Sequence, residues 1–210
     1  MATLPFTDRT DAGERLAAAL DERGIAADVV LAVPRGGLPL GRAVADALDA
    51  PLDVVGARKI GAPGNPEFAL GAVASDGTVW RNDDAPPVDE TYFERQRDRA
   101  AEHARQTAER YRGDRSEPDL RGATVVVVDD GVATGSTIRA CLAQVRAAGA
   151  ERVVVAVPVG PPDTIAGLRG LADDVVCLVT PPDFGGVGQF YERFDQVSDE
   201  DAMAYLEREN

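Results

Sequence analysis

Lysine is almost absent from this chain: of 22 basic side chains only Lys59 is a lysine, the others being arginine. Against them stand 36 acidic residues, leaving a net charge of −14. Such a surface repels nucleic acid and anionic membranes, and neither is expected as a partner. Acid excess with scarce lysine suits a halophilic protein living in high salt, or equally an acidic protein from a GC-rich genome. Aromatic residues make up only 5% of the chain. The single histidine, His103, sits among charges in a helical stretch and reads as solvated. The two cysteines, Cys141 and Cys177, lack metal-type spacing and fall in apolar runs, so both read as small core residues and not as a disulfide. No run approaches the roughly 20 apolar residues of a membrane helix. The opening Met1-Ala2-Thr3-Leu4-Pro5-Phe6 lacks the basic and apolar regions of a secretory signal. A cytoplasmic protein is expected.

What is present is a chain of 210 residues, 44% of them apolar, enough for one domain with a substantial core. A single domain over 1–210 is expected, with a core of about 8–180 and a tail of about 181–210. Strand-like runs alternate with helical patterns, which predicts an α/β fold with a parallel sheet flanked by helices. The periodicity predicts helices over 8–23, 38–48, 89–112, 136–148 and about 161–170, with a closing helix near 199–207. Strands are predicted over 28–33, 52–57, 123–128, 152–157 and 174–179. The stretch 58–68 has glycine breaks, Pro63 and Pro66 and no periodicity, so it is expected to be a mobile loop. Glu67 lies at its far end with no role assigned. The runs 70–74 and 78–81 around Asp76-Gly77 predict a β-hairpin.

Four valines, Val125 to Val128, run straight into Asp129-Asp130-Gly131-Val132-Ala133-Thr134-Gly135-Ser136-Thr137. In a parallel α/β sheet, ligands sit beyond the carboxyl ends of the strands, and a buried valine strand delivers both aspartates to that edge. Ala133, Thr134, Gly135, Ser136 and Thr137 then offer backbone N–H groups, hydroxyls and a helix N-terminus, a nest suited to a phosphate dianion. Two carboxylates beside such a nest make sense if they face hydroxyl groups or a hydrated Mg²⁺. A molecule with vicinal hydroxyls at one end and a phosphate a few ångströms away is a ribose 5-phosphate. The bland alternative, acids and hydroxyls serving only as helix caps, does not account for the whole string.

The segment Val125 to Thr137 resembles the signature of the type I phosphoribosyltransferases: four apolar residues, two acids, then a turn ending in Thr-Gly-x-Thr. The resemblance implies a phosphoribosyltransferase-like parallel sheet with a small hood formed by the chain tail. It also implies 5-phosphoribosyl 1-pyrophosphate as one substrate, Mg²⁺ as cofactor, and transfer of ribose 5-phosphate to a nitrogenous base or amine with release of pyrophosphate. By it, Asp129 and Asp130 contact the ribose hydroxyls and, through these or through water, the metal. Ala133 to Thr137 hold the 5′-phosphate. Pro34-Arg35-Gly36-Gly37 is similar to the family's pyrophosphate loop: glycines let the backbone approach a diphosphate, Arg35 can pair with it bidentately, and a cis peptide is expected at Arg35–Gly36. Arg58 and Lys59 stand where the family's flexible catalytic loop carries cations that offset leaving-group charge. With Asp130 they form the expected catalytic set. Phe184, among the tail aromatics, is the candidate platform for a base, unless these rings simply pack the tail onto the core.

Two departures bear on the acceptor. The 6-oxopurine enzymes place an acid where this chain has Ala133, and a lysine where it has Pro158-Val159-Gly160-Pro161-Pro162. A guanine or hypoxanthine acceptor is therefore disfavoured, and the chain is most similar to family members of unassigned substrate. Relatives of this fold also include regulators that bind phosphoribosyl pyrophosphate without turnover, a second reading alongside the enzyme. A receiver-like signalling domain is a third, but such domains lack the Thr-Gly-Ser-Thr nest after the acids. A homodimer is an expectation from the resemblance alone.

Overall fold

The structure is a computed structural model that describes residues 5–207, the Glu67 side chain excepted. The chain runs α1 (Arg9–Glu22), β1 (Val29–Ala32), α2 (Gly37–Leu48), β2 (Leu52–Val54), β3 (Ala57–Ala62), β4 (Asn65–Ala74), β5 (Val79–Arg81), α3 (Glu90–Arg112), β6 (Thr124–Val128), α4 (Ser136–Ala147), β7 (Arg152–Val159), α5 (Pro162–Arg169), β8 (Asp174–Val179), a 3-10 turn (Val187–Phe190) and α6 (Asp199–Glu207). Local chemistry sets the helix starts. The Asp8 carboxylate accepts from the backbone N–H groups of Thr10 and Asp11, and that of Asp89 accepts from Tyr92, satisfying donors that a helix start leaves open.

Five strands form a parallel sheet in the order β2-β1-β6-β7-β8. Val29 to Ala32 lie in register with Val125 to Val128. These strands are apolar without alternation because both faces are covered. On one face Val30, Val126, Val128 and Val154 pack with Leu16 and Leu20 of α1, Leu40 and Val44 of α2, and Leu206 of α6. On the other, Val125, Val127, Val153 and Val155 meet Ile138, Leu142 and Val145 of α4 and Leu168 of α5. Each such side chain removed from water contributes roughly 1.5–3 kcal/mol, so the sheet is the rigid part that carries the site. Cys141 is buried and Cys177 half-buried, both as free thiols, as the composition predicted. His103 lies on the exposed face of α3.

The stretch 58–68 departs from the sequence-based expectation of an irregular loop. It belongs to a second, antiparallel sheet of β3, β4 and β5. Ile60, Leu70 and Val73 pack against Phe93 of α3 on one face, and Ala72 and Ala74 against Ala140 of α4 on the other. The glycines that looked like breaks are points of close strand approach. A Cβ at Gly61 would stand 2.7 Å from the Pro66 carbonyl oxygen, and one at Gly71 would overlap that of Trp80. Only Pro63-Gly64, with Gly64 at φ +72°, turns the chain between β3 and β4. The hairpin around Asp76-Gly77 is present as predicted.

Candidate ligand site at the switch point of the sheet

From β1 the chain crosses over α2 to β2 on one side, whereas β6 lies on the other side of β1 and leads on to β7 and β8. The connections at the carboxyl ends of β1 and β6 therefore diverge and leave a crevice between them, the place where open α/β sheets bind ligands. Pro34 to Gly37 leave β1 there, and Asp129 and Asp130 leave β6. The two loops are pressed together. Val33 N–H donates to the Val128 carbonyl at 2.9 Å, a Cβ at Gly37 would stand 2.7 Å from that same oxygen, and one at Gly36 would overlap the Asp130 carboxylate. Glycine is thus required at both positions by contact. The cis peptide lies at Pro34–Arg35, one bond earlier than expected.

Strand parity separates the two acids. Asp130 continues the face of Val126 and Val128, toward α1, and its Oδ2 accepts from Arg9 Nε of that helix at 2.8 Å. Asp129 continues the face of Val125 and Val127, and its Oδ1 accepts the Asp130 N–H at 2.9 Å. Burial pushes the Asp129 carboxyl well above the usual carboxylate range, and the neighbouring Asp130 adds to the rise. Burial also raises Asp130, with Arg9 opposing it. Adjacent buried carboxylates are costly, and such perturbed groups in a cleft mark functional sites. Among the described residues no cluster of three acids, histidines or cysteines gathers a metal cage.

Val132 N–H donates to Val159 O at 2.9 Å, and Thr164 Oγ1 donates to Ala133 O at 2.8 Å. These bonds pin the loop that ends at Gly135, which caps α4 with φ +77°. Thr134 Oγ1 and Ser136 Oγ lie 3.1 Å apart, bonded to each other. The first-turn N–H groups of α4 have no side-chain cap, and a helix start has no backbone acceptor of its own for them. The segment 133–137 is therefore a fixed array of donors at the positive end of a 12-residue helix.

Cations gather at the opposite end. A cleft of about 350 Å³ is lined by Pro34, Gly36, Arg58, Lys59, Asp129, Asp130 and Thr137, among others. Arg58 and Lys59 reach it from β3. Arg35 stands 3.3 Å from Asp199 Oδ1 at the start of α6. Arg110 also pairs with that carboxylate at 2.9 Å, and the Tyr111 hydroxyl donates to it. Burial and the Asp199 bond together push the Tyr111 phenol up to about 12. Partial desolvation shifts Arg58 down although its side chain is largely exposed; Tyr111 opposes the shift and Arg35 adds a smaller push.

The profile of the family described as phosphoribosyl transferase domain matches residues 7–194. This chain belongs to that family. It is 46% identical over 208 residues to a Mycobacterium tuberculosis H37Rv protein carrying a provisional phosphoribosyl transferase name, an alignment covering 97% of this chain and 46% of the relative. The chain thus spans about half the length of the curated relatives it matches. It is 47% identical to the crystal structure of TT1426 from Thermus thermophilus, with a TM-score of 0.84 over 97% of this chain and 98% of that one. A Neisseria gonorrhoeae protein solved with bound ppGpp shares the fold, at 18% identity and a TM-score of 0.50 over 97% of this chain and 95% of that one.

For a phosphoribosyl transferase domain the remaining expected residues fall as follows. The turn Val187–Phe190 sits over the signature loop, since a Cβ at Gly131 would touch Val187. Phe184 is half-buried and stacks on Phe190 at 5.6 Å. Tyr191 packs on Phe6 at 5.3 Å and on Phe194 at 4.9 Å, so those rings bolt the tail to the N-terminal segment. Sequence reasoning missed three residues here: Arg9, Tyr191 as a partner of Asp130, and Arg139 of α4. Arg139 places its guanidinium 5.3 Å from the Trp80 ring beside the phosphate nest. Arg9 lies 121 positions from Asp130, and no local pattern announces that pair. Tyr191 is one of the tail aromatics, a signal that carried no role by itself.

Proposed function

We propose that this chain binds 5-phosphoribosyl 1-pyrophosphate across the switch-point cleft and transfers its ribose 5-phosphate to a nitrogenous base or amine, releasing pyrophosphate. The observation carrying this reading is that two half-buried acids, Arg58 and Lys59 line one cleft with Thr137, while Thr134 and Ser136 of the same loop line the pocket next along it. The 5′-phosphate lies on Ala133 to Thr137, its charge met by helix N–H groups and by the hydroxyls of Thr134, Ser136 and Thr137. Asp129 and Asp130 accept from the ribose hydroxyls. Arg35 and the backbone of Gly36 and Gly37 take the diphosphate.

In the reaction the anomeric carbon–oxygen bond breaks as the acceptor nitrogen's lone pair attacks that carbon from the opposite face. The electron pair leaves with the diphosphate, and the acceptor's extra proton passes to water. Positive charge grows on the ribose and negative charge on the leaving group, so Arg58 and Lys59 act where stabilisation counts, at the departing oxygens. Arg58 lies within electrostatic range of Arg35, so an arriving anion would meet both cations. The donor set fits Mg²⁺. Two carboxylates without a third ligand suit a small hard cation that completes its shell with water and substrate phosphates. When bound, Mg²⁺ supplies charge neutralisation at the diphosphate.

Ala133, with no acid in its place, and the apolar neighbours Val132, Val159 and Val187 favour an acceptor other than a 6-oxopurine. Exchange of labelled pyrophosphate into 5-phosphoribosyl 1-pyrophosphate, screened across bases and amines with Mg²⁺, tests the assignment. Exchange dependent on one acceptor supports it. Tight ligand binding with no exchange for any acceptor would instead support a non-catalytic regulator binding phosphoribosyl pyrophosphate.

A further inference from the structure

Asp130 is held from three directions by parts of the chain that are remote in sequence. Arg9 Nε donates to its Oδ2 at 2.8 Å, and the two side chains are only 12% and 15% exposed. The Tyr191 hydroxyl donates to its backbone carbonyl at 2.6 Å. Gly36 closes the third side, with no room for a Cβ against the carboxylate. Arg9 itself is fixed at two of its three nitrogens and at its face. Its Nη1 donates to the Asp195 carbonyl at 2.6 Å, and its guanidinium lies 3.9 Å from the centroid of the Phe194 ring. The N-terminal segment that carries it is laced to the tail by Phe6 N–H to Phe190 O and Glu192 N–H to Phe6 O, at 3.0 and 2.9 Å.

A planar guanidinium held by a carboxylate, a carbonyl and an aromatic face has one orientation, and it imposes one on the carboxylate. Arg9 is also the cation bonded to Asp130, and a largely buried charge keeps its acceptor strength when a partner compensates it. We propose that Arg9 is the positioning residue for Asp130. It presets that carboxylate as a ribose-hydroxyl acceptor and links ribose recognition to the seating of the tail at Phe194 and Asp195. Arg9 touches neither phosphate group in this scheme, so its influence is confined to ligands that carry a ribose. The inference rests on the assignment of Asp130 to the ribose hydroxyls.

Calorimetric titration with ribose 5-phosphate and with inorganic pyrophosphate tests it, using wild type, Arg9→Met, Arg9→Lys, Asp130→Asn and the Arg9→Met/Asp130→Asn double variant. Arg9→Met is expected to weaken ribose 5-phosphate about tenfold or more, the range of a lost charge-assisted hydrogen bond, while pyrophosphate affinity stays within about twofold. Arg9→Lys keeps the charge without the fork and is expected to lose less. In the Asp130→Asn background, Arg9→Met should add under about twofold, because the two side chains act as one unit. Equal weakening of both ligands, unchanged ribose 5-phosphate binding, or additive losses in the double variant would each overturn the proposal. If Arg9→Met fails to fold, Arg9→Lys decides: an unchanged ratio of the two affinities then counts against it. Asp130→Asn alone separates the two levels. No effect of that change on ribose 5-phosphate removes the ribose assignment itself, whereas a loss there with silent Arg9 variants removes only the inference about Arg9.

Discussion

The two ends of the cleft are built from different materials. At the α4 end the donors are backbone N–H groups and short hydroxyls on a loop pinned by Val132 and Thr164. At the α2 end they are long cationic side chains: Arg35 from the β1 loop, and Arg58 and Lys59 from the three-stranded sheet. Fixed dipoles suit a group that must stay in place throughout a reaction, because no reorganisation accompanies binding. Side chains that can exchange partners suit a group that arrives, gains charge and leaves. In the proposed reaction the retained 5′-phosphate and the departing diphosphate would divide in that way, and the difference between the ends can be tested one variant at a time.

The largest effect is expected at the exchanging end. Arg58→Ala and Lys59→Ala should each lower kcat by about 10²–10³, the scale for losing one transition-state charge stabiliser. Ribose 5-phosphate affinity should hardly move; steady-state kinetics beside equilibrium titration reads the split. At the fixed end, Thr134→Val combined with Ser136→Ala should weaken ribose 5-phosphate and 5-phosphoribosyl 1-pyrophosphate alike, by about tenfold for the lost hydrogen bonds. Pyrophosphate binding should be spared, and a fall in pyrophosphate affinity would erase the distinction between the ends. Asp199→Asn probes the exchange of partners at Arg35. Freed from a half-exposed ion pair, Arg35 should bind pyrophosphate about two- to fivefold tighter, the modest scale of surface pairs. Unchanged affinity would mean that Asp199 does not compete for it.

A smaller effect concerns stability at high pH. Tyr111 ionises at about 12 in the fold against 10.0 when unperturbed, so the folded state favours the neutral phenol. That stabilisation is complete below pH 10 and is lost as pH rises from 10 to 12. The melting temperature of wild type should therefore fall more steeply over this window than that of Tyr111→Phe, as differential scanning fluorimetry would show.

The parallel sheet and the donor loop at the start of α4 were legible in the sequence because each depends on neighbours in the chain. Val125 to Val128 are buried on both faces, and such a strand shows itself as an unbroken apolar run that ends on Asp129 and Asp130. The acids and the donor loop after them are nine consecutive residues, Asp129 to Thr137. Of the second sheet only the hairpin around Asp76-Gly77 was legible, and the strands over 58–68 were not. Its glycines are spaced by strand contacts to Pro66 and Trp80, so the segment carries loop composition on a strand backbone, and its apolar face is only Ile60, Leu70 and Val73. Arg9 and Asp199 escaped for another reason. Both are charged residues at helix starts, where charge is ordinary, and only the folded chain brings them to Asp130 and Arg35.

The most direct measurement of the central claim is a crystal structure with 5-phosphoribosyl 1-pyrophosphate and Mg²⁺ bound. The 5′-phosphate is expected on Thr134 to Thr137, the ribose hydroxyls on Asp129 and Asp130, and the diphosphate against Arg35 to Gly37 and Lys59. A 5′-phosphate seated on the cations with the nest left to solvent, or ligand bound away from the β1–β6 crevice, would contradict it.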